Sequence, residues 1–213
     1  VIYIKAGPEI AVATTKAYLL QVAMFSLIAL KAANTKKLEK NYKEVLEEAK
    51  RLPDLLRKVL NDKNVFEEVG EELKDAQDAF YIGRGVDYAM CEEGSLKLKE
   101  ISYKHAEGFA AGEIKHGPIA IIDKGVPVIA LAPKSSLYEK MISSCQEVSA
   151  RGAKVILVTN TPSKNALEVP YTNEYLFPLL AATVLQFYAY FIANFLGREI
   201  DKPRNLAKSV TVE

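Results

Sequence analysis

From Asp78 onward, short apolar runs alternate with helix-sized stretches, and this constrains the fold more than any other feature of the chain. Ala79–Ile82 (AFYI), Val126–Ala132 (VPVIALA) and Lys154–Thr159 (KVILVT) have the length and composition of buried strands. The first runs into Gly83-Arg84-Gly85 and a helix from about Tyr88 to Ser102. The second is followed by a helix over Leu137–Ala150, and the third by an Asn160-Thr161-Pro162 turn. Glu174–Phe177 reads as an edge strand and Leu179–Leu196 as an apolar closing helix. Strands separated by helices build a parallel sheet covered on its faces by helices. In such sheets the ligand crevice lies at the carboxyl ends of the strands, which places Gly83–Gly85 there. Strand, glycine turn and helix N-terminus together make an anion-binding geometry, although Gly-x-Gly alone is common.

The preceding third is helical. Val1–Lys5 reads as a short strand stopped by Ala6-Gly7-Pro8. Glu9–Ala33 is a long apolar, Ala-rich run. Lys16, Gln21, Ser26 and Lys31 interrupt it, which favours a helix buried by other helices over a membrane span. Thr14 and Thr15 are helix-start hydroxyls. Lys36–Leu60 carries Leu38, Tyr42, Val45, Leu46, Ala49 and Leu52 at the helical period, with Pro53 set to bend or restart it. A short third helix covers Asn61–Lys74. These elements predict a helical hairpin, Glu9 to about Leu60, packed on the α/β unit.

The ionisable residues concentrate between Glu93 and Pro118, EGSLKLKEISYKHAEGFAAGEIKHGP, which holds both histidines of the chain. Lys97, Lys99, Glu100, Lys104, Glu107, Glu113 and Lys115 lie there among Gly94, Gly108, Gly112 and Gly117. A core segment would not carry so many charges, because burying them unpaired is costly. Lys97 and Glu100 stand three apart and share a helical face, while Lys99 points elsewhere. A Lys beside a Glu is an acid/base pair open to tuning by burial, and an isolated one is usually an ordinary surface ion pair. His116 sits at a Gly-Pro corner that can aim its ring outward, whereas His105 reads as a core histidine bonded to backbone.

The near-neutral charge of +1 gives no reason to expect nucleic acid or membrane binding. Cys91 and Cys145 have no metal-like spacing and read as reduced, buried thiols of an intracellular protein. No metal and no cofactor is expected. The tail Arg198–Glu213 (REIDKPRNLAKSVTVE) is too short to form a core, yet Arg204, Asn205, Lys208 and Ser209 make a polar, cationic cluster suited to an anion.

Three stretches together resemble the glutamine–fructose-6-phosphate aminotransferase family: LKLKEIS…HAE…GE-x-KHGP, the terminal DKPRNLAKSVTVE and the early AGPEIAVATTKAY. The resemblance runs the length of the chain and implies a flavodoxin-like sugar-isomerase (SIS) fold. On this basis residues 1–60 are a linker and hairpin, 61–197 the second SIS subdomain and 198–213 an active-site tail. The family converts fructose 6-phosphate and glutamine-derived ammonia to glucosamine 6-phosphate. By resemblance, Lys208 forms a Schiff base with the sugar, with burial or Arg204 available to favour its neutral amine. Glu100 moves the proton between C1 and C2, Lys97 stabilises charge or relays protons, and His116, given by a neighbouring subunit, assists ring opening. Val12 and Ala207 match positions whose backbone contacts the sugar, and Arg204 is a further substrate-binding candidate.

The family's glutaminase domain and first SIS subdomain, with its phosphate-gripping Ser/Thr-rich loop, have no counterpart here. The chain starts at Val1 rather than Met, which is expected of a fragment or processed product, inactive alone. The expected assembly is a cytoplasmic homodimer. The alternative is a non-catalytic SIS module that binds a phosphosugar or dimerises.

Overall fold

A computed structural model describes residues 1–32, 39–163 and 166–209. Its centre is a parallel five-stranded sheet, β1 (Asp78–Gly83), β2 (His105–Ala110), β3 (Pro127–Leu131), β4 (Lys154–Thr159) and β5 (Ala166–Glu168), in the order β2-β1-β3-β4-β5. That is the flavodoxin-like order, as predicted. The register pairs Phe80 with Val128, Val128 with Val155, and Leu157 with Ala166. β1 and β3 are apolar without alternation because both faces are covered.

Successive side chains point to opposite faces of a strand. Tyr81, Ile129, Leu131, Ile156 and Val158 therefore join one core with α5 (Val86–Ser102) and α7 (Phe177–Phe195). Phe80, Ile82, Val128 and Ala130 join a second core with Met141, Cys145 and Val148 of α6 (Tyr138–Ser149) and with Ile114. Both cysteines are free and buried. α7 is long and apolar enough to cross a membrane by length and composition, but most of it is packed inside this fold. Gly94 lets α5 ride against α7: a Cβ there would stand 2.5 Å from Leu185 Cδ1 and 3.1 Å from Tyr81 Cε1. Gly108 likewise admits Glu92. These two glycines serve packing rather than the approach of a ligand.

The sequence expectations for β4, β3, α6 and the closing helix hold to within a few residues. The edge strand does not. Glu174–Leu176 is a turn, because Asn173 Oδ1 accepts the backbone N–H groups of Tyr175 and Leu176, and the edge strand is β5 instead. β2 was not expected at all. It is a polar edge strand whose His105, Glu107 and Gly108 hide its period.

The helical first third comprises α1 (Lys16–Ala32), α2 (Glu39–Ala49), α3 (Leu52–Asn61) and α4 (Lys63–Leu73). Pro53 falls in the first turn of α3 and restarts the helix, as predicted. The expected helical residues 33 and 36–38 lie outside the described residues. Val1–Lys5 forms no strand, and Val1, Ile2 and Tyr3 are exposed while Ile4 is half-buried. Helix α1 starts at Lys16 rather than Glu9. It is also not a buried core helix: none of its described residues is buried, and Phe25 is 71% exposed. Only Tyr18, Leu19, Val22, Ala23 and Leu30 pack partly against the core. Helices α1 and α2, the start of α5 and the entry to α7 flank an apolar groove of about 560 Å³.

Candidate active site

Helix α5 places the acidic and basic groups. It leaves β1 through Gly85, whose φ of +57° favours glycine, and ends at Tyr103. Lys97 is 4% exposed, and its Nζ donates to Glu100 Oε2 at 2.6 Å. One turn back, Glu93 Oε1 lies 3.6 Å from the same ammonium and makes no hydrogen bond. Two carboxylates thus compete for one buried cation, and Glu100 holds the bond. Burial pushes the Glu93 carboxyl up to about 7, with Lys97 opposing and the Glu100 charge adding to the rise. Tyr18 of α1 lies nearby: its hydroxyl donates to Met90 Sδ at 3.5 Å, and burial with the Glu93 charge pushes its phenol up to about 12.

The tail and the N-terminal segment meet beside this helix. Val12 N–H donates to Asp201 O at 2.8 Å. Lys208 Nζ donates to Ala11 O at 2.9 Å and Glu9 Oε2 at 3.2 Å, and lies 3.5 Å from Thr14 Oγ1. Glu9 Oε1 accepts the N–H groups of Thr15 at 2.9 Å and Ala17 at 3.4 Å, so it also caps the start of α1. Burial works to raise the Glu9 carboxyl, but these bonds and the Lys208 charge overrule it and hold it at about 2.

The expected setting of Lys208 is therefore corrected. Its side chain is 43% exposed, and its charged neighbour is Glu9, not Arg204. Arg204 turns away: its guanidinium lies 4.3 Å from the centre of the Tyr103 ring, and its backbone N–H donates to Tyr103 Oη at 2.9 Å. Ala207 is exposed in the same tail. The fold thus gathers Val12, Arg204, Ala207 and Lys208 along the tail and its N-terminal partner, and pairs Lys97 with Glu100 on α5.

His116 stands apart. It ends a 3-10 turn after the carboxyl end of β2, its residue is exposed, and among the described residues its ring has no hydrogen bond or ion pair. Glu100 lies fourteen residues into α5, roughly 20 Å along the helix axis from the carboxyl edge of the sheet. The Gly83–Gly85 turn does sit at that edge. Its Arg84 Nη2 donates to Ser144 Oγ at 2.9 Å, beneath α6. Asp87 in the first turn of α5 is pushed up to about 7 by burial and by Glu174 of the turn before α7, and these acids work against an anion at the helix start. His105 is corrected as well. Its side chain is 55% exposed, with Nδ1 2.9 Å from Asp78 Oδ1, so it is not a core histidine.

Sequence reasoning did not assign Glu93, Glu9 or Tyr103. Glu93 was within reach, since it stands four residues before Lys97 on one helical face. Glu9 and Lys208 are 199 residues apart, and no local pattern joins them. Chemically, the arrangement offers a half-buried carboxylate held by a buried ammonium for proton transfer, and an accessible amine for attack on a carbonyl.

The SIS domain model matches residues 72–193. Over the whole chain, the glutamine–fructose-6-phosphate aminotransferase (isomerizing) of Methanosarcina mazei is 48% identical, and this chain covers 36% of it. That of Thermus thermophilus is 46% identical, again over the whole chain and 37% of the relative. This chain thus spans about a third of the length of the curated relatives it matches. The solved C-terminal domain of glucosamine-fructose-6-phosphate aminotransferase from Francisella tularensis superposes with a TM-score of 0.84 at 36% identity, over 93% of this chain and 59% of that one. A parallel sheet in flavodoxin order and a family match over more than half its residues place the chain: it belongs to the SIS domain family.

Proposed function

We propose that this chain forms the second SIS subdomain and active-site tail of a glutamine–fructose-6-phosphate aminotransferase, which makes glucosamine 6-phosphate. The observation that carries the reading is the bond of 2.6 Å from buried Lys97 to half-buried Glu100 on the helix whose end holds the Lys208 tail. Residues 1–60 serve as linker and hairpin, 61–197 as the subdomain and 198–213 as the tail. The glutaminase domain and the first, phosphate-gripping subdomain come from elsewhere in the protein.

Lys208 leaves Glu9, gives its ammonium proton to solvent, and as the neutral amine attacks the C2 carbonyl of the open-chain sugar and expels water to give a Schiff base. Ammonia then displaces the lysine. Glu100 takes the C1 proton and returns it at C2, while Lys97 holds the carboxylate in place and balances its charge. Val12 and Ala207 offer backbone groups to the sugar, and Arg204 holds the tail. The separation of His116 from Glu100 supports its donation to a neighbouring subunit, where it assists ring opening. The exposed apolar face of α1 supports a homodimer, and the two buried free thiols fit a cytoplasmic enzyme.

The test is borohydride reduction of the full-length enzyme with fructose 6-phosphate. Sugar should be trapped on Lys208, and Lys208→Arg should abolish trapping and lower isomerisation by orders of magnitude, since a guanidinium stays protonated. Glu100→Gln should still trap sugar but should stop exchange of the C1/C2 proton with solvent. Near-normal turnover of Lys208→Arg would refute the covalent role. The 213-residue chain alone should turn over no substrate, and robust isomerase activity from it would overturn the division of labour proposed here.

A further inference from the structure

We propose that Tyr103 is a positioning residue, a latch that fixes the lysine-bearing tail to the end of α5 and so sets where Lys208 stands relative to the Lys97–Glu100 pair. The proposal rests on the reading of Lys208 given above.

Tyr103 caps α5 with φ +64° and ψ +19°, and its N–H returns to Lys99 O at 3.2 Å. Helices that end in the left-handed conformation usually place glycine there, because a Cβ is strained at that position. A tyrosine persists in such a conformation only where its surroundings over-determine it. Here the surroundings are the tail. Tyr103 Oη accepts the Arg204 N–H at 2.9 Å, the Arg204 guanidinium lies 4.3 Å from the ring centre, and that of Arg198 lies 5.4 Å away. Two cations and one backbone donor from the tail thus converge on one side chain, each interaction attractive in its own right.

The tail has few other holds. Arg198 N–H donates to Ala193 O, Ile200 packs partly against the core and Pro203 is buried, but Arg204–Lys208 is exposed throughout, and among the described residues its polar contacts beyond Tyr103 are those of Lys208 with Glu9, Ala11 and Thr14. Tyr103 follows Glu100 by three residues and Arg204 precedes Lys208 by four. The residue that ends the helix of the proposed base therefore also fixes the start of the segment that carries the proposed nucleophile. An ordinary helix stop would not require a phenol, and a surface tyrosine would not require the left-handed backbone.

Tyr103→Gly separates these roles, because glycine relieves the backbone strain and keeps the helix stop while it removes the latch. Tyr103→Phe keeps the ring and loses only the acceptor. Both are made in the full-length enzyme and read by tryptic cleavage after Arg204, by kcat and KM for fructose 6-phosphate, and by borohydride trapping. Tyr103→Gly should speed cleavage after Arg204 by roughly tenfold or more and lower kcat by a similar factor with KM little changed; Tyr103→Phe should show effects of about threefold. Wild-type cleavage and kcat in Tyr103→Gly would overturn the latch, as would fast cleavage with unchanged kcat. Trypsin reports tail anchoring whatever Lys208 does. Faster cleavage in Tyr103→Gly, together with failure of wild-type enzyme to trap sugar on Lys208, would refute the Lys208 reading while the anchoring itself stands.

Discussion

Replacing Glu93 by glutamine should stabilise the chain at high pH although it removes a carboxylate beside a lysine. Glu93 is the carboxylate that lost the competition for Lys97: 3.6 Å from Nζ, unbonded, and 10% exposed. Burial moves its carboxyl from 4.5 to about 7. The folded chain therefore holds a proton that the unfolded chain has released between pH 4.5 and 7, and stability falls as pH rises through that window. A displacement of this size corresponds to about 3 kcal/mol, and coupling to Lys97 and Glu100 leaves roughly 1–3 kcal/mol. Glutamine mimics the protonated acid and does not titrate. The variant should match the wild type near pH 4.5 and exceed it by about 1–3 kcal/mol at pH 8. Urea unfolding followed by circular dichroism at pH 4.5, 6, 7 and 8 measures the gap. Parallel stability curves, or a variant less stable than wild type at pH 8, would show that Glu93 is an ionised partner of Lys97 and would refute the reasoning.

Gly94→Ala should destabilise the fold by about 1–3 kcal/mol in urea despite the better helix propensity of alanine, because the new methyl meets Leu185 at 2.5 Å; a stability gain would show that α5 and α7 can part freely. Glu9→Gln should weaken the start of α1 by about 1 kcal/mol at pH 7. In the wild type, the depressed Glu9 carboxyl contributes stability above pH 4.5 that is lost as pH falls toward 2, about 1–2 kcal/mol after solvent screening. Hydrogen exchange of the Thr15 and Ala17 amides, compared between variant and wild type at pH 3 and 6, measures it, and equal protection in the two proteins would refute the capping role.

The elements most legible in the sequence were those with long uninterrupted apolar runs. Lys154–Thr159 announces itself as a strand because nothing polar interrupts KVILVT, and α7 because nearly every residue faces packing. β2 was invisible for the opposite reason: an edge strand carrying His105 and Glu107 answers to solvent as much as to its partner. Helix α1 misled because apolar composition records what a segment can bury, not whether this chain buries it. At the site, the Lys97–Glu100 pair follows from helical spacing alone. The Glu9–Lys208 and Tyr103–Arg204 contacts join segments 199 and 101 residues apart, and only the closed fold brings them together.

The missing side chain at Gly94 sets how high α5 stands above α7, and Lys97 and Glu100 stand three and six positions further along that helix. The placing of Lys97 and Glu100, the pair proposed above to move protons, is therefore held in the interior, by the hydrocarbon of Leu185 and the Tyr81 ring. Changes at Leu185 or Tyr81 that leave the chain folded should still detune the pair, so an assay would score them as catalytic defects.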